Sequence, residues 1–184
     1  MPLLIFIFSY KANFAGTAAA LLLFFAQSQP DRHYQVKAAF LFNFTQFVEW
    51  PVTTFQHAEE PLVIAVIGQD PFGTYLDEVV SGESMQGHPM VVRRLNPEDE
   101  IEDCHILYIN LPDREKTEEV LEKVKGRSIL TVSDMPDFLK YGGMIRFVTA
   151  NNKIQFQINP AASIAADLTI SSKLLNLAEI FSPE

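Results

Sequence analysis

Six consecutive apolar residues, Leu62–Ile67, set the strongest limit on the fold. The run has the length of a strand, and a strand with one face in water would alternate apolar and polar side chains. The lack of alternation predicts a strand that is covered on both faces, as in a parallel sheet with helices on either side. Further strands are predicted at Pro89–Leu95, His105–Ile109 and Ser128–Val132, with a charged amphipathic helix over Asp113–Lys125.

The remaining segments supply helices and a hairpin. Proline steers the preceding residue out of the helical region, so Trp50-Pro51 should end a helix over Tyr34–Glu49. Turn-forming residues between two apolar segments predict a hairpin. The other predicted elements are a helix from Asp70-Pro71 to about Val80, hairpin strands Met144–Val148 and Lys153–Ile158, a short helix after Asn159-Pro160, and a last helix from Ser171 to about Phe181. This order predicts a single three-layer α/β domain, with a mixed, mostly parallel sheet of about six strands, a C-terminal β-hairpin and helices on both faces.

The first 28 residues have the composition of a secretory signal. They contain one charge, Lys11, followed by a thirteen-residue apolar stretch, Phe14–Ala26, and the small residues of Ala26-Gln27-Ser28. A basic residue, an apolar run and a small-x-small exit predict export with cleavage after Ser28, which leaves residues 29–184 as the domain. The alternative is that Leu3–Ala26 stays in the membrane as an anchor, although a lysine in its middle would be costly there.

Charge and cysteine content exclude several classes of function. The chain has 14 Lys and Arg against 23 Asp and Glu, a net charge of -9, so phosphate backbones should repel it and nucleic-acid binding is not expected. A single cysteine, Cys104, excludes an internal disulfide and a cysteine-based zinc site. The four histidines show no i,i+4 pairing, so neither a metal site nor a cofactor is predicted.

The loop Gly68–Gly73 lies between a predicted strand and a predicted helix, where phosphate-binding loops occur. It lacks the lysine that follows the second glycine of such loops, because Thr74 and Tyr75 come next. An ordinary turn with Asp70 as helix cap is the favoured interpretation, and nucleotide hydrolysis is excluded.

Four polar residues should meet beyond the carboxyl ends of the parallel strands, where α/β proteins bind ligands. They are Asp70, Asn110, Ser133 and Asp134. These residue types also cap helices and form turns, which we favour over a ligand pocket. None of them marks a general acid or base, and the neighbours Cys104 and His105 would point to opposite faces of a strand. No catalytic activity is predicted.

Lys37 conflicts with its surroundings, since it falls on the aromatic face of the first helix. Its stem could extend past Phe40 and Leu41 to water, or its ammonium could pair with a buried carboxylate such as Asp70 or Asp167.

Two aromatic residues indicate a surface that contacts a partner. Phe42 lies on the otherwise polar side of the first helix, and Phe55 lies in a polar loop. Exposed apolar side chains mark interaction sites when they cluster, so both residues are candidates for partner binding.

Taken together, a series of segments resembles the YfiR-like family of exported bacterial proteins over residues 34–178. The segments are Tyr34–Phe44, Phe47–Pro51, Leu62–Gly68 with Asp70–Gly73, Val91–Leu95, Cys104–Ile109, Leu130–Asp134, Gly142–Phe147 and Ile170–Leu175.

The resemblance implies a periplasmic regulator without catalytic activity. In the best-known member, the protein binds the periplasmic sensor part of an inner-membrane diguanylate cyclase and holds it inactive, and an outer-membrane lipoprotein can sequester it. Such control would tune cyclic di-GMP and biofilm formation. Related domains are fused to histidine kinases, and members can dimerise, so a sensor kinase and a homodimer are further implied partners. Some relatives carry disulfides, which a chain with Cys104 alone cannot form internally.

Overall fold

A computed structural model describes residues 31–57 and 59–182 of the chain. The predicted leader, residues 1–28, and the alternative anchor both lie outside the described residues. No helix within the described part combines the length and the apolar character that are required to cross a bilayer.

The described residues form ten strands and five α-helices. The strands are β1 (Val48–Glu49), β2 (Leu62–Gly68), β3 (Ser84–Met85), β4 (His88–Leu95), β5 (Ile106–Asn110), β6 (Leu130–Ser133), β7 (Ile145–Ala150), β8 (Lys153–Ile158), β9 (Thr169–Ile170) and β10 (Glu179–Ile180). The helices are α1 (Arg32–Phe47), α2 (Tyr75–Val80), α3 (Arg114–Val124), α4 (Pro160–Ala165) and α5 (Ser172–Leu175), with a 3-10 turn at Phe138–Tyr141.

Eight strands make one mixed, mostly parallel sheet in the order β10-β8-β7-β6-β5-β2-β4-β3, which confirms the predicted α/β class. Strands β4, β2, β5, β6 and β7 are parallel, β7 and β8 form the predicted antiparallel hairpin, and β10 adds to β8 in parallel. β1 and β9 pair separately in an antiparallel two-stranded sheet. The sheet has two more strands than the predicted six because two-residue strands form both of its margins.

The central strand β2 is covered on both faces, as its unbroken apolar run predicts. Leu62, Ile64 and Val66 face a core that contains residues of α1, α2 and α5. Val63, Ala65 and Ile67 face a second core that contains residues of α3 and the 3-10 turn. These alternating side chains place the sheet between two helical layers.

Helix α1 runs antiparallel to the central strands. It begins near the end of the sheet where the parallel strands finish, which we call the carboxyl edge, and it ends near the opposite end, which we call the amino edge. Asp31 caps its start, where the carboxylate accepts a hydrogen bond from the backbone N–H of His33 at 2.9 Å. The helix ends at Phe47, and Val48 turns into β1. This path places Lys37 near the carboxyl ends of the parallel strands and Trp50 near their amino ends.

Two predicted helices differ from the structure. Helix α2 begins at Tyr75 and not at Asp70-Pro71, because Gly73 has φ +54, which no α-helix accommodates. The predicted last helix ends at Leu175, since the chain then extends to pair Glu179–Ile180 with β8. A long-range strand pairing thus replaces the local helical pattern.

Candidate functional site

The structure brings the four residues predicted at the carboxyl edge to that edge, and other groups of the chain bind each of them. Asn110 donates to the carbonyl of Gln69 at 2.8 Å. The hydroxyl of Ser133 donates to the carbonyl of Ile109 at 2.7 Å, and it accepts from the N–H of Met135 at 3.1 Å. These two residues hold strand ends and turns, which is the role we favoured for them.

Asp70 belongs to a cluster that closes the Gly68–Gly73 loop. One carboxylate oxygen accepts from the N–H of Phe72 at 2.8 Å, and the other accepts from Nε of Arg94 at 2.9 Å. The same guanidinium binds Asp77 and the carbonyl of Gly73, and its hydrogen bond to Asp77 lowers the pKa of that carboxyl. Arg94 therefore holds the loop through Asp70 and the carbonyl of Gly73.

The loop begins at Gly68, a position that only glycine can occupy. Its φ is +90, and a Cβ at this position would lie 2.2 Å from the carbonyl oxygen of Asn110. Glycine is required here by the close approach of two strand ends.

Asp134 and Lys37 form a partly buried pair at the same edge. Nζ of Lys37 lies 2.6 Å from Oδ2 of Asp134, and the hydroxyl of Tyr108 donates to the same oxygen at 3.0 Å. The ammonium also lies 4.6 Å from the ring centroid of Tyr34. Of the two alternatives for Lys37, the structure shows the pairing with a carboxylate, but the partner is Asp134 and neither Asp70 nor Asp167.

The second carboxylate oxygen of Asp134 has no hydrogen-bond donor among the described residues. This oxygen, Oδ1, is buried. A buried carboxylate oxygen without a donor is costly, so it would accept a hydrogen bond from a ligand that reached it.

At the opposite edge, three aromatic rings form a stack. Phe55 lies between two imidazoles, with ring centroids 3.8 Å from His88 and 4.5 Å from His105. The indole of Trp50 meets His105 edge-on at 6.1 Å. Phe55 was a candidate because of its aromatic character alone, and the structure shows it half-buried against these rings.

His105 is neutral, and its tautomer is fixed. Nδ1 accepts a hydrogen bond from the backbone N–H of Val63 at 3.0 Å, so the proton of the neutral ring lies on Nε2. The side chain is buried, and burial lowers the pKa of His105 to about 4. Neither Nε2 of His105 nor Nε1 of Trp50 has an acceptor among the described residues, although both are buried.

Exposed apolar side chains share two grooves with Trp50. We call Trp50, Pro51, Val52 and Ile164 the Trp50 surface. Val52 is 95% exposed and Ile164 is 71% exposed. Two grooves of about 320 and 570 Å³ border it, and Trp50 and Pro51 line both. The sequence analysis used Trp50-Pro51 only as a helix end and therefore missed this surface.

Phe42 is half-buried and packs against the core that α1 covers. It contributes to stability as well as to the surface, so it is less exposed than the helical pattern predicts.

Cys104 and the histidines offer little reactivity. Burial raises the pKa of the Cys104 thiol to about 12, so it stays protonated near neutral pH. His33 bonds Asn152 at 3.0 Å, and Nδ1 of His88 bonds the carbonyl of Glu60 at 2.8 Å. Within residues 31–57 and 59–182, no three His, Cys, Asp or Glu side chains are grouped so as to hold a metal ion.

The comparison with family models decides the relationship. The model described as YfiR/HmsC-like matches residues 34–179, which span the sheet from α1 to β10. The chain belongs to the YfiR/HmsC-like family. This family comprises periplasmic, non-catalytic regulators of diguanylate cyclases, and the assignment confirms the resemblance of the sequence motifs. None of the curated proteins compared with the chain matches it.

Within the YfiR/HmsC-like domain, the matched segment includes both edges of the sheet. It contains the Lys37–Asp134 pair at one edge and the Trp50 surface with His105 at the other. Both candidate sites therefore belong to the family domain itself.

Proposed function

We propose that this protein is an exported, non-catalytic regulator that binds the periplasmic sensor part of an inner-membrane diguanylate cyclase and restrains it. The match to the YfiR/HmsC-like family over residues 34–179 is the observation that supports this proposal. The output would be cyclic di-GMP and, through it, biofilm formation. The proposal includes cleavage of the leader after Ser28, and a histidine kinase is the alternative membrane partner.

The proposed binding face is the Trp50 surface together with Phe55, with Phe42 as a second contact. Val52 supports this choice. Its side chain is 95% exposed, so the folded chain buries almost none of its apolar area and a partner could bury nearly all of it. An outer-membrane lipoprotein that sequesters the regulator, and a second copy of the chain, are further proposed partners.

The first experiment captures the partner. The exported chain carries a C-terminal tag, is recovered from gently solubilised membranes, and what co-purifies is identified. We expect a membrane protein with a cyclase or kinase domain. Recovery of the mature chain alone would contradict the regulator proposal and favour a ligand-binding module.

A pair of matched variants locates the face. Val52→Asp should remove the co-purified protein and raise cellular cyclic di-GMP, whereas Leu177→Asp, on a 73% exposed leucine between α5 and β10, should leave both unchanged. Phe42→Glu is informative only if its unfolding curve stays near that of the wild type, since Phe42 packs against the core. Equal effects of Val52→Asp and Leu177→Asp would refute the proposed face.

A second candidate function is a small-ligand sensor at the carboxyl edge, near Asp70, Asn110, Ser133 and Asp134. The unsatisfied Oδ1 of Asp134 supports it, because a ligand with an N–H or O–H group would supply the missing donor. A ligand at 100-fold excess over its Kd should add ~2.7 kcal/mol to the free energy of unfolding. A metabolite screen that produces no change in melting temperature would count against this function.

A further inference from the structure

An apolar cavity that belongs to neither candidate site lies at the amino edge of the sheet. Its volume is about 370 Å³, which is within the range of small-molecule sites. It is bounded by the end of α3, the start of β6, the end of the 3-10 turn and α4. Apolar atoms form most of its lining surface, in contrast to the two grooves beside Trp50.

Four buried apolar side chains line the cavity. Leu121 and Val124 belong to the core that contains residues of α3, and Met144 and Ala166 belong to the core that contains residues of α1. The cavity therefore lies where the two cores meet at the edge of the sheet. A molecule that entered it would exchange contact with water for contact with apolar side chains, which is favourable.

The rest of the lining is open because its residues carry small side chains or none. Ala162, Ala165 and Ala166 have the spacing of one helix face, at the end of α4. Gly126 follows α3 and Gly142 ends the 3-10 turn, and a Cβ at either glycine would meet no atom within 4 Å. The described chain thus leaves this space unfilled.

Local charge selects a neutral ligand. Among the described residues, the charged ones that line the cavity are Glu122 and Lys125, and they pair with each other at 2.8 Å. An ion that entered would lose its hydration and would find no unpaired charge of opposite sign, which is costly. A neutral molecule avoids this cost.

The size and one wall of the cavity select a compact ligand. The volume lies near the lower end of the range for ligand pockets, so it suits a small molecule and not a folded partner. Tyr141 also lines the cavity, and the guanidinium of Arg114 lies 4.3 Å from the centroid of its ring. This cation–π contact holds an aromatic part of the wall in place before any ligand arrives.

We propose that this cavity is a binding site for a neutral, compact apolar molecule of about the size of two fused aromatic rings. The site is separate from the Trp50 surface and from the carboxyl edge, so it depends on neither of the proposed functions.

Met144 reports on the cavity, because it is one of the lining residues. The test uses the purified chain with ¹³C-labelled methionine methyl groups and follows their resonances at pH 7. The probe is 2-naphthol, which is neutral at this pH, and 2-naphthoate supplies the same rings with a negative charge. We expect a saturable shift of the Met144 resonance with 2-naphthol and binding of 2-naphthoate that is weaker by about tenfold or more.

Three other methionines show where a probe binds. Met85 in β3 and Met90 in β4 lie at the other end of the strand order from β6 and β7, so their resonances should not shift. Met135 follows Asp134 at the carboxyl edge. A shift of Met135 without a shift of Met144 would place the probe at that edge and overturn the cavity site.

Two alanine variants of α4 test the cavity itself. Ala162→Phe fills the space from a lining position and should weaken 2-naphthol binding by about tenfold or more. Ala161→Phe, on an exposed alanine outside the lining, should leave binding unchanged. If Ala162→Phe does not fold, Ala165→Phe replaces it, with the same expected loss, because Ala165 is an exposed residue of the same lining.

The outcomes separate this site from the proposed function. No shift of Met144 at the solubility limit of 2-naphthol, equal binding of the two probes, or undiminished binding in the filled variant would overturn the site. Binding by the purified chain requires no membrane protein. Failure of this site would therefore leave the regulator proposal intact, and failure to capture a cyclase would leave this site intact.

Discussion

Lys37 in α1 and Asp134 after β6 are 97 positions apart in the chain, and their side chains approach to 2.6 Å. The ammonium is almost fully buried, while the carboxylate side chain is 29% exposed. The pair attaches the first helix to the carboxyl edge of the sheet. Tyr108 in β5 supports this pair, since its hydroxyl donates a hydrogen bond to Oδ2 of Asp134.

Removing the ammonium should destabilise the fold. Lys37→Met leaves Asp134 with a single donor, Tyr108, so we expect the free energy of unfolding to fall by about 2–3 kcal/mol, less than for a fully buried pair because the carboxylate is partly solvated. Urea unfolding measures the loss. Lys173→Met, on an exposed lysine of α5, is the control and should cost less than about 0.5 kcal/mol. A loss equal to that of the control would show that the pair contributes nothing.

His105 should make the protein sensitive to acid. Its pKa is about 4 in the folded chain because of burial, against about 6.5 in the unfolded chain, so between these values only the unfolded state binds the proton. The stability due to His105 is therefore complete above about pH 6.5 and decreases as the pH falls towards 4, by up to about 3 kcal/mol.

Unfolding curves at pH 7 and pH 4.5 measure this effect, and His105→Asn should reduce the difference between them, whereas His33→Asn should not. Other charged groups that act on His105 are Glu60, His88, Asp103 and Arg93. They remain in both variants, so their contribution cancels in the comparison. An unchanged pH dependence in His105→Asn would contradict the assignment.

Gly68 should be intolerant of a side chain. In Gly68→Ala the methyl group would meet the backbone carbonyl of Asn110, which cannot move without separating β2 from β5, so we expect a loss of about 3 kcal/mol or more. Gly126→Ala is a matched control, because its φ is also positive at +72 but its Cβ would meet no atom within 4 Å. It should cost about 1 kcal/mol, and thermal unfolding compares the two. Equal losses would mean that φ alone matters.

Arg94 should hold the Gly68–Gly73 loop. Arg94→Ala removes the bonds to Asp70, Asp77 and the carbonyl of Gly73, so the amide of Phe72 should exchange faster with deuterium. The global stability should fall by only about 1 kcal/mol, because the guanidinium is partly exposed. Arg93→Ala, on the neighbouring exposed arginine, is the control. Unaltered exchange at Phe72 would show that the loop is ordered without Arg94.

Local signals predicted much of this fold, and long-range pairings account for what they missed. The unbroken run Leu62–Ile67 predicted a doubly covered strand, and the turn before Lys153–Ile158 predicted the hairpin. The segment after Leu175 carries a helical pattern, but Glu179–Ile180 pairs with residues of β8 more than twenty positions earlier. A local stretch of sequence does not show that pairing with β8 competes with helix formation in this segment.

The candidate sites divide in the same way. The carboxyl edge was predictable because parallel strands end together, which places Asn110 beside Gly68 and Ser133 beside Ile109. The partner of Lys37 was not predictable, since the sequence offers several carboxylates and does not show which of them the helix approaches. The contact of Trp50 with His105 was missed because the two residues come from a helix exit and a strand entry that only the folded chain brings together.

The two margins of the main sheet, β3 and β10, are each two residues long. Free strand edges are templates on which other chains can add a strand, and short edges are one of the ways in which proteins prevent this. Margins of this length oppose the pairing of two copies of the chain through β3 or β10. Among the described residues, β3 covers only His88 and Pro89 of β4, and β10 covers only Gln157 and Ile158 of β8, so a partner strand would have to add beyond these short margins.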